Sequence, residues 1–282
     1  MDFFKNELLV NENAPKMGKG VVLEDSFFEQ NVRVYFLDLD QEKILSRKYA
    51  SLKKLEEDED EQFFDNFDHN PKYQSLDSSI ATFQQKMPGG FSGEKFMDRE
   101  RDYKQETHTL SQEILSKDSL SELLKEENYK EISKRALAIV NKTNLIFKQE
   151  KMALTNGLKT PEAKTKFAVA LFGLLYGKDE IKNRFEKFVN TLEEIEALKW
   201  TIASYFLFIH YPEEYMFVKP TNTKLAAKIT GWNIHYEARP NWNTYNHVLE
   251  LSNYIHKKLS ELGPRDLIDI QSFFWVIQPS YK

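Results

Sequence analysis

Apolar residues alternate with polar ones early in the chain and recur every three to four positions later, and the change falls near residue 56. Before it, the spacing predicts short strands over 21–23, 32–36 and 43–45. Val32, Val34 and Phe36 alternate with Arg33 and Tyr35, the period of a strand with one buried face. Gly18 and Gly20 offer the backbone freedom of a tight turn before the first strand. Strands this short hide their edges most economically by closing into a small barrel. Residues 1–16 read as a polar arm with Phe3, Phe4, Leu8 and Leu9 as apolar anchors.

The rest reads as helix. Asp77, Ser78 and Ser79 can cap a helix that ends before Pro88, and MPGGF at 87–91 is a sharp turn. A charged helix begins near 93–96 and runs through DRERDYKQETHTLSQEIL. Helical spacing continues over 129–155, with Asn156 and Gly157 as its C-cap, and Thr160 and Pro161 open the next helix. Residues 193–211 are apolar nearly all round, as expected of the central helix of a bundle, and Pro212 ends them. A short helix over 221–229 stops at Gly231, and an aromatic-rich loop leads to two last helices over 244–262 and 265–277. The fold class expected is α+β: a small barrel with its arm at 1–57, an acidic linker at 58–75 and a mainly α-helical domain at 76–282. The run EEDEDEQ at 56–62 has no apolar period and reads as solvated.

The formal charge of −5 over 282 residues excludes coating nucleic acid by net charge, so any phosphate contact has to come from a local patch. With no cysteine there is no disulfide framework, thiol nucleophile or zinc–thiolate site, which suits a reducing cytoplasm. The start of the chain lacks the pattern of a signal peptide, and no apolar run approaches the ~20 residues of a membrane span. The six histidines form no metal signature, His210 reads as a satisfied core residue, and no phosphate loop or nucleophile elbow occurs. No metal or cofactor is expected.

Three groups of residues carry candidate chemistry. In RERDYK, Glu100 and Lys104 share a helix face, as do Arg99 and Tyr103; the plain reading is surface salt bridging, worth ~0.2–0.5 kcal/mol per pair. The sharper reading has Arg99, Arg101 and Lys104 gripping phosphate, with a desolvated Lys104 as an amine nucleophile towards a sugar carbon. In GPRDLIDIQSFFWVI, Asp266 and Asp269 lie on one side of a helix. Asp266 can cap the helix start, while Asp269 either pairs with Arg265 or another base, or stabilises positive charge on a sugar while a base departs. In the aromatic loop, Trp232, Tyr236, Trp242 and Tyr245 either stack on unpaired bases or pack between helices. Arg239 and Lys257, with Lys219, Lys224, Lys228 and Lys258, could form a phosphate stripe beside them.

Gly18-Lys-Gly-Val-Val-Leu23, the strand at 32–36, Lys43 to Leu45 and Leu52-Lys-Lys-Leu55 together resemble an SH3-like or Tudor-like barrel. Such a barrel ends superfamily 1 repair helicases and is similar to RNA-polymerase-interacting modules of the CarD and transcription-repair-coupling type. The resemblance implies docking through residues 1–57 onto RNA polymerase, a helicase or nucleic acid. The helical body is more distantly similar to helical DNA glycosylases, on its late aspartate and its core helix ending near a proline. Two functions from different classes follow. One is a DNA-acting enzyme of repair or anti-phage defence that excises a base by N-glycosidic hydrolysis, with Asp269 or Asp266 as charge-stabilising acid and Lys104 and Arg101 as nucleophile or phosphate clamp. The other is a non-enzymatic adaptor linking polymerase or a helicase to DNA. An Asp269 locked in an internal ion pair with no cavity beside it would remove the first.

Overall fold

The computed structural model describes residues 2–4, 7–27, 31–36, 38–39, 41–55, 76–230, 232–278 and 281. The acidic linker expected at 58–75, the run at 56–62 and Gly231 lie outside them. The chain divides into two units: Met1–Ile80 with Ala227–Asn233, and Ala81–Ala226 with Ile234–Lys282.

The first unit is built on a five-stranded antiparallel sheet of β1 (Leu8–Asn11), β2 (Lys19–Val22), β3 (Val32–Phe36), β4 (Gln41–Leu45) and β5 (Leu52–Lys54). The strand order is β4-β3-β2-β1-β5, so the last strand returns beside the first. Leu9, Val22, Val32, Val34, Phe36 and Leu45 form its core with Phe3. The alternation in β3 is therefore the buried face it predicts, although Tyr35 on the other face is also buried.

Two expectations for this unit change. Residues 8–11 are not part of an arm: Leu9 is fully buried, and β1 pairs with β2 through Leu9↔Gly20 and with β5 through Leu9↔Lys54. Gly18 does turn, with φ 70, but Gly20 lies inside β2. A Cβ on Gly20 would stand 2.4 Å from Val34 Cγ1, so Gly20 permits close packing of β2 on β3.

The helices are α1 (Leu76–Lys86), α2 (Asp102–Ile114), α3 (Lys117–Lys125), α4 (Tyr129–Lys142), α5 (Lys148–Gly157), α6 (Pro161–Tyr176), α7 (Ile181–Glu194), α8 (Trp200–His210), α9 (Pro220–Thr230), α10 (Trp242–Lys258) and α11 (Leu267–Val276). Every residue of α8 is buried, and α2, α5, α6 and α7 pack around it. Each large apolar side chain so enclosed contributes roughly 1.5–3 kcal/mol of transfer free energy.

The apolar run at 193–211 is not one helix. Glu196, with φ 57, takes the left-handed conformation that ends α7, and α8 starts four residues later at Trp200. The spacing over 129–155 is likewise interrupted at Thr143, whose extended backbone separates α4 from α5. Thr160 caps α6 by accepting from the Ala163 N–H, and Pro161 occupies its first turn as the sequence indicates.

Candidate functional site

The helix that leads into α2 is irregular. After a single turn at Glu94–Phe96, residues Met97–Arg101 form a π-helical turn. Such a turn inserts an extra residue into the helical ladder and is frequent at functional sites. Glu100, Arg101 and Lys104 are all buried here, so the RERDYK pairs are not surface salt bridges.

Their partners come from the start of α11. The Arg101 guanidinium grips Asp266 in a fork, Nη1 to Oδ1 at 2.5 Å and Nη2 to Oδ2 at 2.7 Å. Nη1 also donates to Asp269 Oδ1 at 3.1 Å, and Nη2 to Gln105 Oε1 at 2.7 Å. Asp266 is the N-cap of α11 and accepts from the Ile268 and Asp269 N–H groups. Burial works against the charge on Arg101, but Asp266 and Asp269 outweigh it and raise its pKa.

Asp269 is fully buried. Its Oδ1 accepts from Arg101 and from Arg265 Nη2 at 3.2 Å, and its Oδ2 accepts from the Arg265 N–H at 2.9 Å and Nε at 2.8 Å. A carboxylate offers about four lone-pair positions, so these donors saturate it. Arg265 further donates to the Phe91 carbonyl at 2.7 Å, which ties the PGGF turn to α11.

Lys104 completes the network. Its Nζ donates to Ser272 Oγ at 2.7 Å and to Glu100 at 3.3 Å. Burial lowers its pKa to about 8, against the opposing pull of Glu100. The amine is thus desolvated, as a sugar nucleophile would have to be, but the residue is only 1% exposed. Cavities of about 460, 580 and 490 Å3 open elsewhere in the helical unit, and none of them is lined by Lys104, Asp266 or Asp269. What the arrangement does chemically is neutralise itself: three cations face three carboxylates and clamp the π turn to α11.

The remaining predicted residues are spread over other surroundings. Arg99 is exposed and, like Glu100, interacts with Tyr281. Trp232 is 5% exposed and belongs with the first unit, whereas Tyr236, Trp242 and Tyr245 belong to the second. Tyr245 is buried, stacked 4.5 Å from Phe185, and donates its hydroxyl to the Met216 carbonyl at 3.1 Å. Trp242 meets the same Phe185 edge-on at 6.0 Å. These two rings are packing between α7 and α10. Tyr236 is half-buried, leaning on Trp200 with Lys224 Nζ 4.5 Å above it. Arg239 is held by Glu193 and Asn190, and Lys257 is exposed in the last turn of α10.

A second buried polar group centres on His210. The Tyr176 hydroxyl gives its one hydrogen to the Leu115 carbonyl at 2.7 Å. His210 Nε2, 2.7 Å from that oxygen, must then donate to it. Nδ1, 2.8 Å from Ser111 Oγ, is left to accept the serine hydrogen. Both roles require a neutral ring, and burial with His108 nearby lowers its pKa to about 4. His210 is a satisfied core residue, and among the described residues no group of three or more metal-ligating side chains occurs.

The sequence did not single out Ser272, the π turn, or Phe147 beneath Lys219. Partners far away in the chain define them, and the helical spacing over 129–155 counts Phe147 as one more apolar position inside a helix, where the structure has it exposed at a helix start. No protein-family model matches the chain, and no curated protein or solved structure is significantly similar to it.

Proposed function

We propose that the chain is a non-enzymatic adaptor that brings a protein of DNA metabolism, RNA polymerase or a repair helicase, to nucleic acid. The observation that carries this reading is where apolar surface is left uncovered. Of the eight large apolar side chains exposed among the described residues, Phe4, Phe27, Leu39, Ile44 and Tyr49 fall in the first 49 positions. Ile44 is 67% exposed on β4, the edge strand of the sheet, and Tyr49 in the following turn is 73% exposed. Single exposed apolar residues are ordinary, but a concentration of them on a small unit favours a protein partner. The saturated carboxylates of α11 weigh in the same direction, because base excision needs an acid with a lone pair to offer.

Among the described residues no helix is long and apolar enough to cross a membrane. The adaptor reading places the chain in the cytoplasm with its DNA.

The test immobilises the full chain and flows purified RNA polymerase core or a superfamily 1 repair helicase over it. One of them should bind, and Ile44→Asp with Tyr49→Ala should weaken that binding at least about tenfold, a loss of ~1.4 kcal/mol. Equal binding by the variant, or no binding of either protein, overturns the proposal. In parallel, DNA carrying normal, alkylated, deaminated or phage-modified bases is incubated with the protein and treated with alkali. Cleavage that disappears in a folded Asp269→Asn protein would replace the adaptor by a glycosylase.

A further inference from the structure

We infer that the starts of α5 and α9 form a contact site for single-stranded nucleic acid, with Phe147 as a stacking ring and Lys148, Lys219 and Lys224 as phosphate contacts. The inference rests on the adaptor reading and says where the helical unit would meet its nucleic acid. Phe147 is the N-cap residue of α5 and is 59% exposed. Its backbone N–H is tied to Glu150 Oε2 at 2.9 Å, so the ring is presented from a fixed backbone. Lys219, immediately before α9, reaches across to donate to the Leu145 carbonyl at 3.1 Å and sets its Nζ 3.9 Å from the Phe147 ring centroid. Five residues on, Lys224 repeats the arrangement over Tyr236 at 4.5 Å. Two rings, each carrying a lysine, are thus linked through one helix start, and exposed Lys148 adjoins the first of them.

The chemistry of a single strand fits this pairing of groups. Every base has a π face, so stacking on an exposed ring tolerates any sequence, while ammonium groups beside the ring track the backbone. A duplex keeps its bases stacked on one another and has no face to give Phe147. Glu150, the carboxylate beside Lys219, is already engaged by Thr201 Oγ1 at 2.8 Å and by the Phe147 N–H. Both donors are neutral, so Glu150 keeps its charge and phosphate competes with it for Lys219, while Lys148 and Lys224 stand exposed. A protein partner could also cover Phe147, and the experiment separates the two.

The test is fluorescence anisotropy of a labelled oligothymidylate, and of a hairpin duplex, titrated with the full chain at several salt concentrations. The single strand should bind more tightly than the duplex. Phe147→Ala should weaken it about tenfold, as loss of one stacked base does. Lys224→Gln should lower the slope of log K against log salt by ~0.7, the value for one phosphate on a single strand. Phe147 is exposed, so an unchanged melting temperature will show that its variant is folded. Wild-type affinity and salt slope in both variants, or no binding of either oligonucleotide, overturns the inference. Capture of polymerase or helicase that depends on Phe147, with oligonucleotide binding unaffected, overturns it equally by making this face a protein contact. The oligonucleotide outcomes do not bear on Ile44 and Tyr49, so the site can fail while docking through the β unit stands.

Discussion

Asp269 has a donor for each of its lone pairs, and that fixes what its replacement should do. Asp269→Asn keeps the shape but removes the charge that answers Arg265 and part of Arg101. Arg265 is 39% exposed and Arg101 keeps Asp266, so neither cation is left buried alone, and the cost is that of weakened buried hydrogen bonds, about 1–3 kcal/mol. Urea unfolding should therefore show a loss of that order, whereas a carboxylate held ready for catalysis would be replaced at little cost to stability. Lys104 gives a pH signature. Its folded pKa of about 8 lies below the ordinary 10.5, so between these values the unfolded chain holds the extra proton. Wild-type stability should rise relative to Lys104→Met as pH increases through that window, by up to ~3 kcal/mol. His210 obeys the same sign at lower pH: with a folded pKa of about 4 against 6.5, its contribution is complete above 6.5 and is lost as pH falls towards 4. His210→Gln should flatten that part of the stability profile. The oddity of Asp269 between two isoleucines was legible in the sequence, but Arg101 lies 168 residues away and no local spacing could name it.

At the scale of elements, the long periodic signals were read correctly as helices and the interruptions were not. Two adjoining helices that both bury apolar residues keep one period running through the break, as Ile195 and Ala197 do between α7 and α8. The π turn was invisible for a related reason: Glu100 and Lys104 sit at the same spacing on a solvated helix as on a buried one, and burial is decided by α11. β1 was missed because LLVN is too short to show alternation, and its identity comes from the strands on either side. Gly20 tests that account of the sheet. Gly20→Ala would drive a methyl against Val34 and Phe36, an overpacking worth about 1–3 kcal/mol, and should lower the melting temperature. The substitution would instead be harmless if Gly20 served only to bend a loose turn.

For the whole molecule, the α+β class, a small N-terminal sheet followed by helices, was legible, because the period of apolar residues changes once and stays changed, whereas the grouping of Ala227–Asn233 with the first unit was not. The chemistry was less so, since residue types alone do not tell a buried, self-neutralised cluster from an active centre. The two units carry different kinds of uncovered surface. The β unit leaves Ile44 and Tyr49 bare, and the helical unit presents Phe147 beside lysines. The proposed adaptor role requires two functions that mutation can separate. Ile44→Asp with Tyr49→Ala should abolish capture of the protein partner and leave oligonucleotide affinity and its salt slope intact. Phe147→Ala with Lys224→Gln should do the reverse. The oligonucleotide contact rests on lysine–phosphate pairs and should also weaken as salt rises, while the apolar protein contact should change little. Measuring both bindings for both variants across salt gives four salt profiles. If each variant impairs both bindings alike, the two functions do not separate, and the adaptor reading falls with them.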